Sequence, residues 1–198
     1  MTVAALYVDV ERGPYATMPD VDAWGVERDA KRWPGGSPVV AHPPCGPWGS
    51  MRGLCKYQDP ECGPIAVDQV RQWGGVLEHP AYSSLWEHCN LPRPLAPEGQ
   101  LPLLAGRAWT LMVDQCRWGH PCRKRTWLLM VGIDPADLPP IPDWQKPTHF
   151  IGGTKASRAK AKARGMRQLG GGSTPYANKA TPPAFADWLV ECARRVRI

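Results

Sequence analysis

Pro64-Ile65-Ala66-Val67-Asp68-Gln69-Val70-Arg71-Gln72-Trp73-Gly74-Gly75-Val76-Leu77-Glu78-His79-Pro80 is the stretch that decides the fold class. Its first half reads as a helix: Pro64 suits an opening turn, Ile65, Val67 and Val70 are apolar, and Gly74-Gly75 stops it. Val76-Leu77-Glu78 then reads as a brief strand, ended by His79-Pro80. Upstream, Thr2–Val8 and Pro38–Ala41 are two more short apolar runs. Downstream, Ser83 or Ser84 caps a short helix through His88. Thr110–Cys116 and Thr126–Val131, separated by a polar turn with Gly119 and Pro121, predict a hairpin. Pro183–Val196 reads as a last helix capped by Thr181, with Ala184, Trp188, Leu189 and Cys192 on one face. This order of strands and helices predicts an α/β sheet with a terminal hairpin.

Composition narrows the class. With 20 Gly and 23 Pro, the elements are short and joined by many turns. No apolar run approaches the roughly 18 residues of a membrane span. The N-terminus has neither a basic leader nor a cleavage site. Seven Cys is an odd count without framework spacing. These features predict a chain of the reducing cytoplasm, not membrane-bound.

The net charge of +6 is concentrated. From Trp144 to Ala186 there are eight basic residues and no acidic one: Lys146, Lys155, Arg158, Lys160, Lys162, Arg164, Arg167 and Lys179. The rest of the chain carries a net −2. The cluster is flanked by Gly152-Gly153 and Gly170-Gly171-Gly172, and Ser157–Leu169 within it reads as a basic helix weakened by Gly165. Such a block is an electrostatic footprint for a polyanion, most simply DNA. Phosphate contacts position a nucleic acid without reading its bases. Three sections follow: a core over 1–143, a basic insertion over 144–180, and a terminal helix over 181–198 that returns to the core.

Ligand sites in open α/β sheets lie beyond the carboxyl ends of strands. Three loops follow short strands here. His42-Pro43-Pro44-Cys45-Gly46-Pro47-Trp48 holds a thiol in a stiff turn, which suits a nucleophile if cations lower its pKa. Leu77-Glu78-His79-Pro80 puts a carboxylate at a strand end. Gln115-Cys116-Arg117-Trp118-Gly119-His120-Pro121-Cys122-Arg123-Lys124-Arg125 supplies three adjacent cations.

In this order the three loops resemble the DNA cytosine-C5 methyltransferases. Pro43-Pro44-Cys45 looks like their nucleophile loop, and Glu78 like the glutamate that holds the target base. Asp114–Arg125, followed by a hydrophobic strand and Gly132, is similar to their strand-turn-strand with paired arginines. Thr181-Pro182-Pro183 resembles the segment closing their fold. The resemblance spans about Val39 to Ala193. It implies a Rossmann-like methyltransferase sheet in which a Cys45 thiolate adds to a pyrimidine C6. Glu78 then holds the base edge, and Arg123 and Arg125 neutralise charge on a base carbonyl or phosphate. The base must be flipped or already single-stranded. The implied cofactor is S-adenosylmethionine, held by Asp9, Glu27, Asp29 and Pro44, and the implied partner is DNA, contacted through Lys155, Arg158, Lys160, Lys162, Arg164 and Arg167. A compact enzyme of this kind suits a bacterial or bacteriophage genome.

The sequence also departs from that pattern. A glycine-rich loop after the first strand is replaced by Tyr7–Tyr15, which contains only Gly13. Arg28-Asp29-Ala30 looks like the segment that meets the cofactor adenine. Only about twenty residues separate the two, so a strand–helix unit is shortened or missing, with Glu27 standing in for its acidic residue. The N-terminal cofactor half is therefore truncated. Gly46-Pro47 and His79-Pro80 replace the residues that ordinarily follow the nucleophile and the glutamate, and a large target-recognition domain is absent. A second one-carbon donor, methylene-tetrahydrofolate or an aldehyde, giving a hydroxymethyl pyrimidine, is one alternative. A catalytically inactive DNA-binding protein is another.

Metal chemistry is disfavoured. No CxxC pair exists, and Cys55 and Cys62 are too far apart for a zinc knuckle. The His-x-Glu and Pro-Cys-x-x-Cys of a zinc deaminase are missing. Cys89, Cys116 and Cys192 read as buried structural thiols. Trp73, Trp109, Trp127 and Trp188 read as core, while Trp48 and Trp118 adjoin the site. His42 and His79 stand at strand ends, where they orient neighbours or are simply structural.

Overall fold

The computed structural model describes residues 1–50, 52–55, 59–102, 106–151, 155–169 and 180–197, with Leu54 and Ser157 described by backbone alone. Gly152-Gly153, Gly170-Gly171-Gly172 and Lys179 lie outside the described residues. The chain forms an α/β fold around a mostly parallel six-stranded sheet. Its strands are β1 (Val3–Leu6), β2 (Val21–Trp24), β3 (Val39–Ala41), β4 (Gly75–Pro80), β5 (Ala108–Asp114) and β6 (Arg125–Val131). They lie in the order β2-β1-β3-β4-β6-β5. The first four are parallel neighbours; β6 is antiparallel to β4 and pairs with β5 as the expected terminal hairpin.

Strands sandwiched between two layers are apolar on both faces, and β1 and β3 are buried at every position. Alternate side chains serve the two layers. Ala4, Leu6, Val39, Ala41, Leu77 and Leu129 pack on one face, against α1 (Cys62–Trp73) and α2 (Leu85–His88). Val3, Ala5, Val40, Val76, Leu128 and Met130 pack on the other, against α4 (Pro183–Ala193). Gly75 is required where α1 meets β4. Its φ is +122°, and a Cβ there would sit 2.0 Å from the Val39 carbonyl oxygen.

Several expectations shift in detail. Helix α1 starts at Cys62, before Pro64, and buries Ala66, Val67 and Val70 while Ile65 is half-buried. The N-cap of α4 is Pro182, not Thr181, and its buried face holds Phe185 in place of the exposed Ala184. Strand β5 ends at Asp114, because Gln115–Trp118 turns into a 3-10 helix. Trp118 packs on Phe185 and Trp188 in the core. Trp73 is half-buried.

The N-terminal segment expected to be shortened has its own strands. The strand that the sequence reading left out is present as β2, paired in register with β1. What the two crossovers lack is a helix: 3-10 turns at Pro14–Thr17 and Ala30–Arg32 stand there instead. Residues 144–169 contribute a small unit, β7 (His149–Phe150), α3 (Lys155–Ala163) and β8 (Arg167–Gln168). The basic helix therefore ends earlier than expected, and the chain returns to pair β8 with β7 in parallel. The unit is joined to the hairpin turn by a Cys122–His149 bridge and by Pro121, whose carbonyl accepts from the Thr148 and His149 amides.

Candidate active site

Glu78 is the centre of a polar cluster at the carboxyl end of β4. Its Oε2 meets His42 Nδ1 at 3.1 Å, and the other nitrogen of His42 meets the Tyr15 hydroxyl at 2.6 Å. Its Oε1 accepts from Gln115 Nε2 at 3.0 Å and from the Thr126 hydroxyl at 3.3 Å. Tyr15, Gln115 and Thr126 are buried, and the Glu78 and His42 side chains are each 11% exposed. Four chain segments thus converge on one carboxylate.

Burial alone pushes the Glu78 pKa up. The hydrogen bond from His42, the Lys124 ammonium and the neighbouring histidines outweigh it, and the carboxyl is held down to about 2. Glu78 is therefore a fixed anion at neutral pH, suited to accept hydrogen bonds and not to take up a proton. His79, fully buried, moves down to about 4. Burial dominates; Glu78 opposes it, as does the Pro44 carbonyl, which acts without closing a well-formed hydrogen bond.

Cys45 stands exposed at the end of the Pro-Pro turn after β3. Its carbonyl accepts from the Trp48 and Gly49 amides at 3.1 and 2.7 Å, which fixes the turn that carries the thiol. Lys124 is within electrostatic reach of both Cys45 and Glu78. Burial pulls its pKa down, and those two groups pull it back up. Its ammonium donates to the Ala180 carbonyl at 3.2 Å, tying the hairpin turn to the chain that leads into α4.

Arg123 and Arg125 meet elsewhere. Both pair with the fully buried Asp114 carboxylate, Arg125 at 3.1 Å. The expected arginine pair is thus brought together around an anion on β5, and the cation facing Glu78 and Cys45 is the lysine between them. Lys124 stands just before β6 with φ +38°, a left-handed turn conformation that separates its side chain from those of Arg123 and Arg125.

A cavity of about 710 Å³ opens at the carboxyl ends of β1, β2 and β3, within the size range of cofactor sites. Asp9, Glu27, Asp29 and Pro44, the four residues singled out for the cofactor, all line it. The loop after β1 is built without a glycine-rich motif. Tyr7 adopts φ +60°, Asp9 accepts from the Glu11 and Arg12 amides, and Gly13 closes the turn on the Asp9 carbonyl. A side chain at Gly13 would strike that carbonyl at 2.3 Å. The lining carries the carboxylates of Asp9, Glu11, Glu27, Asp29 and Asp59 against one ammonium, Lys31, which pairs with Asp59 at 3.2 Å. The cavity therefore favours a cationic ligand. Pro44 in its wall is adjacent in sequence to Cys45.

Lys155, Arg158, Lys160, Lys162, Arg164 and Arg167 are all exposed on the small β7–α3–β8 unit, and none forms an ion pair among the described residues. Among the described residues, no group of three or more His, Cys, Asp or Glu side chains is placed to hold a metal ion, and no helix is long and apolar enough to cross a membrane.

Sequence reasoning missed Tyr15, Thr126 and Lys124 as site residues. Lys124 precedes β6 in a left-handed turn conformation, φ +38°, which no strand pattern announces. Tyr15 reaches His42 across the fold from a 3-10 turn, and nothing local announces it. Comparison with protein-family models, curated proteins and solved structures finds no match to this chain.

Proposed function

We propose that this chain modifies a pyrimidine, most simply cytosine, at C5 in DNA, using Cys45 as nucleophile and S-adenosylmethionine as methyl donor. One observation carries the reading. Cys45 adjoins the wall of a cofactor-sized cavity on one side and shares the field of Lys124 with the anionic Glu78 on the other.

The chemistry suits those residues. The Cys45 thiolate adds to C6, forming an S–C bond and moving the ring electron pair toward N3, which makes C5 enamine-like. N3 takes a proton from water as its charge develops, and Glu78 accepts hydrogen bonds from the exocyclic amine and from the resulting N3–H. Lys124 favours the thiolate over the thiol. His42, Gln115 and Thr126 keep the Glu78 carboxylate oriented. After C5 is substituted, water takes the C5 proton, the released electron pair re-forms the C5–C6 double bond and expels the Cys45 thiolate, and N3 returns its proton to water. When bound, S-adenosylmethionine supplies an electrophilic methyl group. Asp9, Glu27 and Asp29 are the residues that would hold it.

The acidic lining supports this donor over a folate. S-adenosylmethionine carries a net positive charge through its sulfonium and ammonium, whereas a folate tail carries carboxylates with no compensating cation. The exposed cations of α3 supply the phosphate contacts.

Purified protein incubated with cytosine-containing DNA and S-adenosylmethionine, followed by nucleoside mass spectrometry, tests the reading. It predicts 5-methylcytosine, lost in Cys45→Ser. Product formed only with methylene-tetrahydrofolate would move the reaction to hydroxymethylation. DNA binding without product from any donor would leave a binding protein.

A further inference from the structure

We propose that Tyr82 is a stacking platform for an unpaired nucleotide next to the base presented to Cys45, with Arg123 and Arg125 as its phosphate partners. The inference rests on the nucleic-acid reading above and adds a contact surface outside the basic α3 unit.

The position is unusual in three respects. First, the Ser83 amide donates to the Pro80 carbonyl at 3.2 Å, closing a turn with Ala81 and Tyr82 at its centre. Tyr82 has φ +64°, the conformation that glycine or asparagine fills most easily at this place in a turn. A bulky aromatic residue there is held against backbone preference. Second, the ring gains little burial in return: Tyr82 is 67% exposed, resting one face near Trp127 with centroids 5.1 Å apart. Third, the turn is fixed to the cationic head of β6. The Ala81 amide donates to the Arg125 carbonyl at 3.1 Å, and the Tyr82 hydroxyl faces the Arg125 guanidinium.

The surroundings point to the class of ligand. Two guanidinium groups share the single Asp114 carboxylate, so the patch keeps a positive charge, and the Arg123 side chain is 53% exposed. An exposed aromatic face beside free arginine edges matches the two halves of a nucleotide, since bases stack on aromatic rings without sequence preference while guanidinium groups take phosphate oxygens. The turn follows Glu78-His79-Pro80 in the chain, and Tyr82 packs by Trp127 on the sheet face opposite Glu78, so a strand whose target base meets Glu78 reaches Tyr82 by crossing the end of β4. A base taken out of its stack leaves a neighbour that needs a new stacking partner.

The test is fluorescence anisotropy with a short labelled single-stranded DNA containing cytosine, using wild type, Tyr82→Phe, Tyr82→Leu and Tyr82→Asn. Phe keeps the ring, Leu keeps apolar bulk and the same backbone strain, and Asn relieves that strain. Stacking predicts binding within about twofold of wild type for Phe and about tenfold weaker for Leu and Asn, with the Asn variant melting no lower than wild type. If wild type binds and the Leu and Asn variants bind equally well, the platform is refuted while the nucleic-acid reading stands. If wild type binds no DNA even at low salt, both are refuted.

Discussion

Replacing His79 by leucine removes most of the loss of stability that the protein suffers between pH 7 and pH 5. His79 is fully buried on β4, near Trp86, and burial holds its pKa at about 4 against an ordinary 6.5. A histidine with a lowered folded pKa is neutral when folded and takes up its proton on unfolding. Its contribution is thus complete above pH 6.5 and is lost as pH falls toward 4. At pH 5 the unfolded imidazole is almost fully charged and the folded one almost neutral, a difference of about 2 kcal/mol. Glu78 hardly contributes in this window, because its unfolded pKa of 4.5 and folded value of about 2 both lie below it. His120, also lowered by burial, leaves a residual dependence in both proteins. Urea unfolding at the two pH values is the assay, and the wild-type midpoint falls by on the order of 1 M. Leucine in an apolar setting removes the titrating group without stranding a partner. Equal wild-type stability at pH 7 and 5, or an unchanged pH slope in His79→Leu, refutes the reasoning.

Two further predictions follow from packing and charge. Gly75→Ala destabilises by on the order of 4 kcal/mol, because its Cβ meets the Val39 carbonyl in a conformation alanine resists. Gly106→Ala, with nothing within 4 Å of its Cβ among the described residues, stays within about 0.5 kcal/mol by thermal unfolding. Neutralising Arg158, Lys160 and Lys162 to glutamine weakens DNA binding and lowers the slope of log affinity against log salt by roughly one per lost phosphate contact. An unchanged slope would remove α3 from the interface.

The fold was legible where a segment's fate is decided by its own residues. Val39–Ala41 and Val76–Leu77 are buried on both faces, and the β5–β6 hairpin is bounded by turn residues on both sides. Strand β2 was not legible: Val21-Asp22-Ala23-Trp24 is a half-buried edge strand, and its identity comes from pairing with β1. On α4, Trp188, Leu189 and Cys192 are buried as expected, and Phe185 is buried in place of Ala184, because both are apolar and only packing chooses between them. The site followed the same division. Cys45, Pro44 and Glu78 sit at the ends of strands legible in the sequence, and Asp9 follows the first of them, whereas Glu27 and Asp29 follow β2. Tyr15 and Lys124 owe their places to a long-range contact and to a left-handed turn residue before β6. The arginines stood out in the sequence, yet Asp114 takes both.

The most direct measurement uses DNA carrying 5-fluorocytosine, which cannot lose its C5 substituent as a proton and so traps the adduct. The protein is incubated with this DNA and S-adenosylmethionine, and the complex is mapped by mass spectrometry. The account predicts a covalent complex through Cys45, dependent on S-adenosylmethionine, absent in Cys45→Ser and strongly reduced in Glu78→Gln. A protein that binds this DNA but forms no adduct with any one-carbon donor, or an adduct at another cysteine, contradicts it.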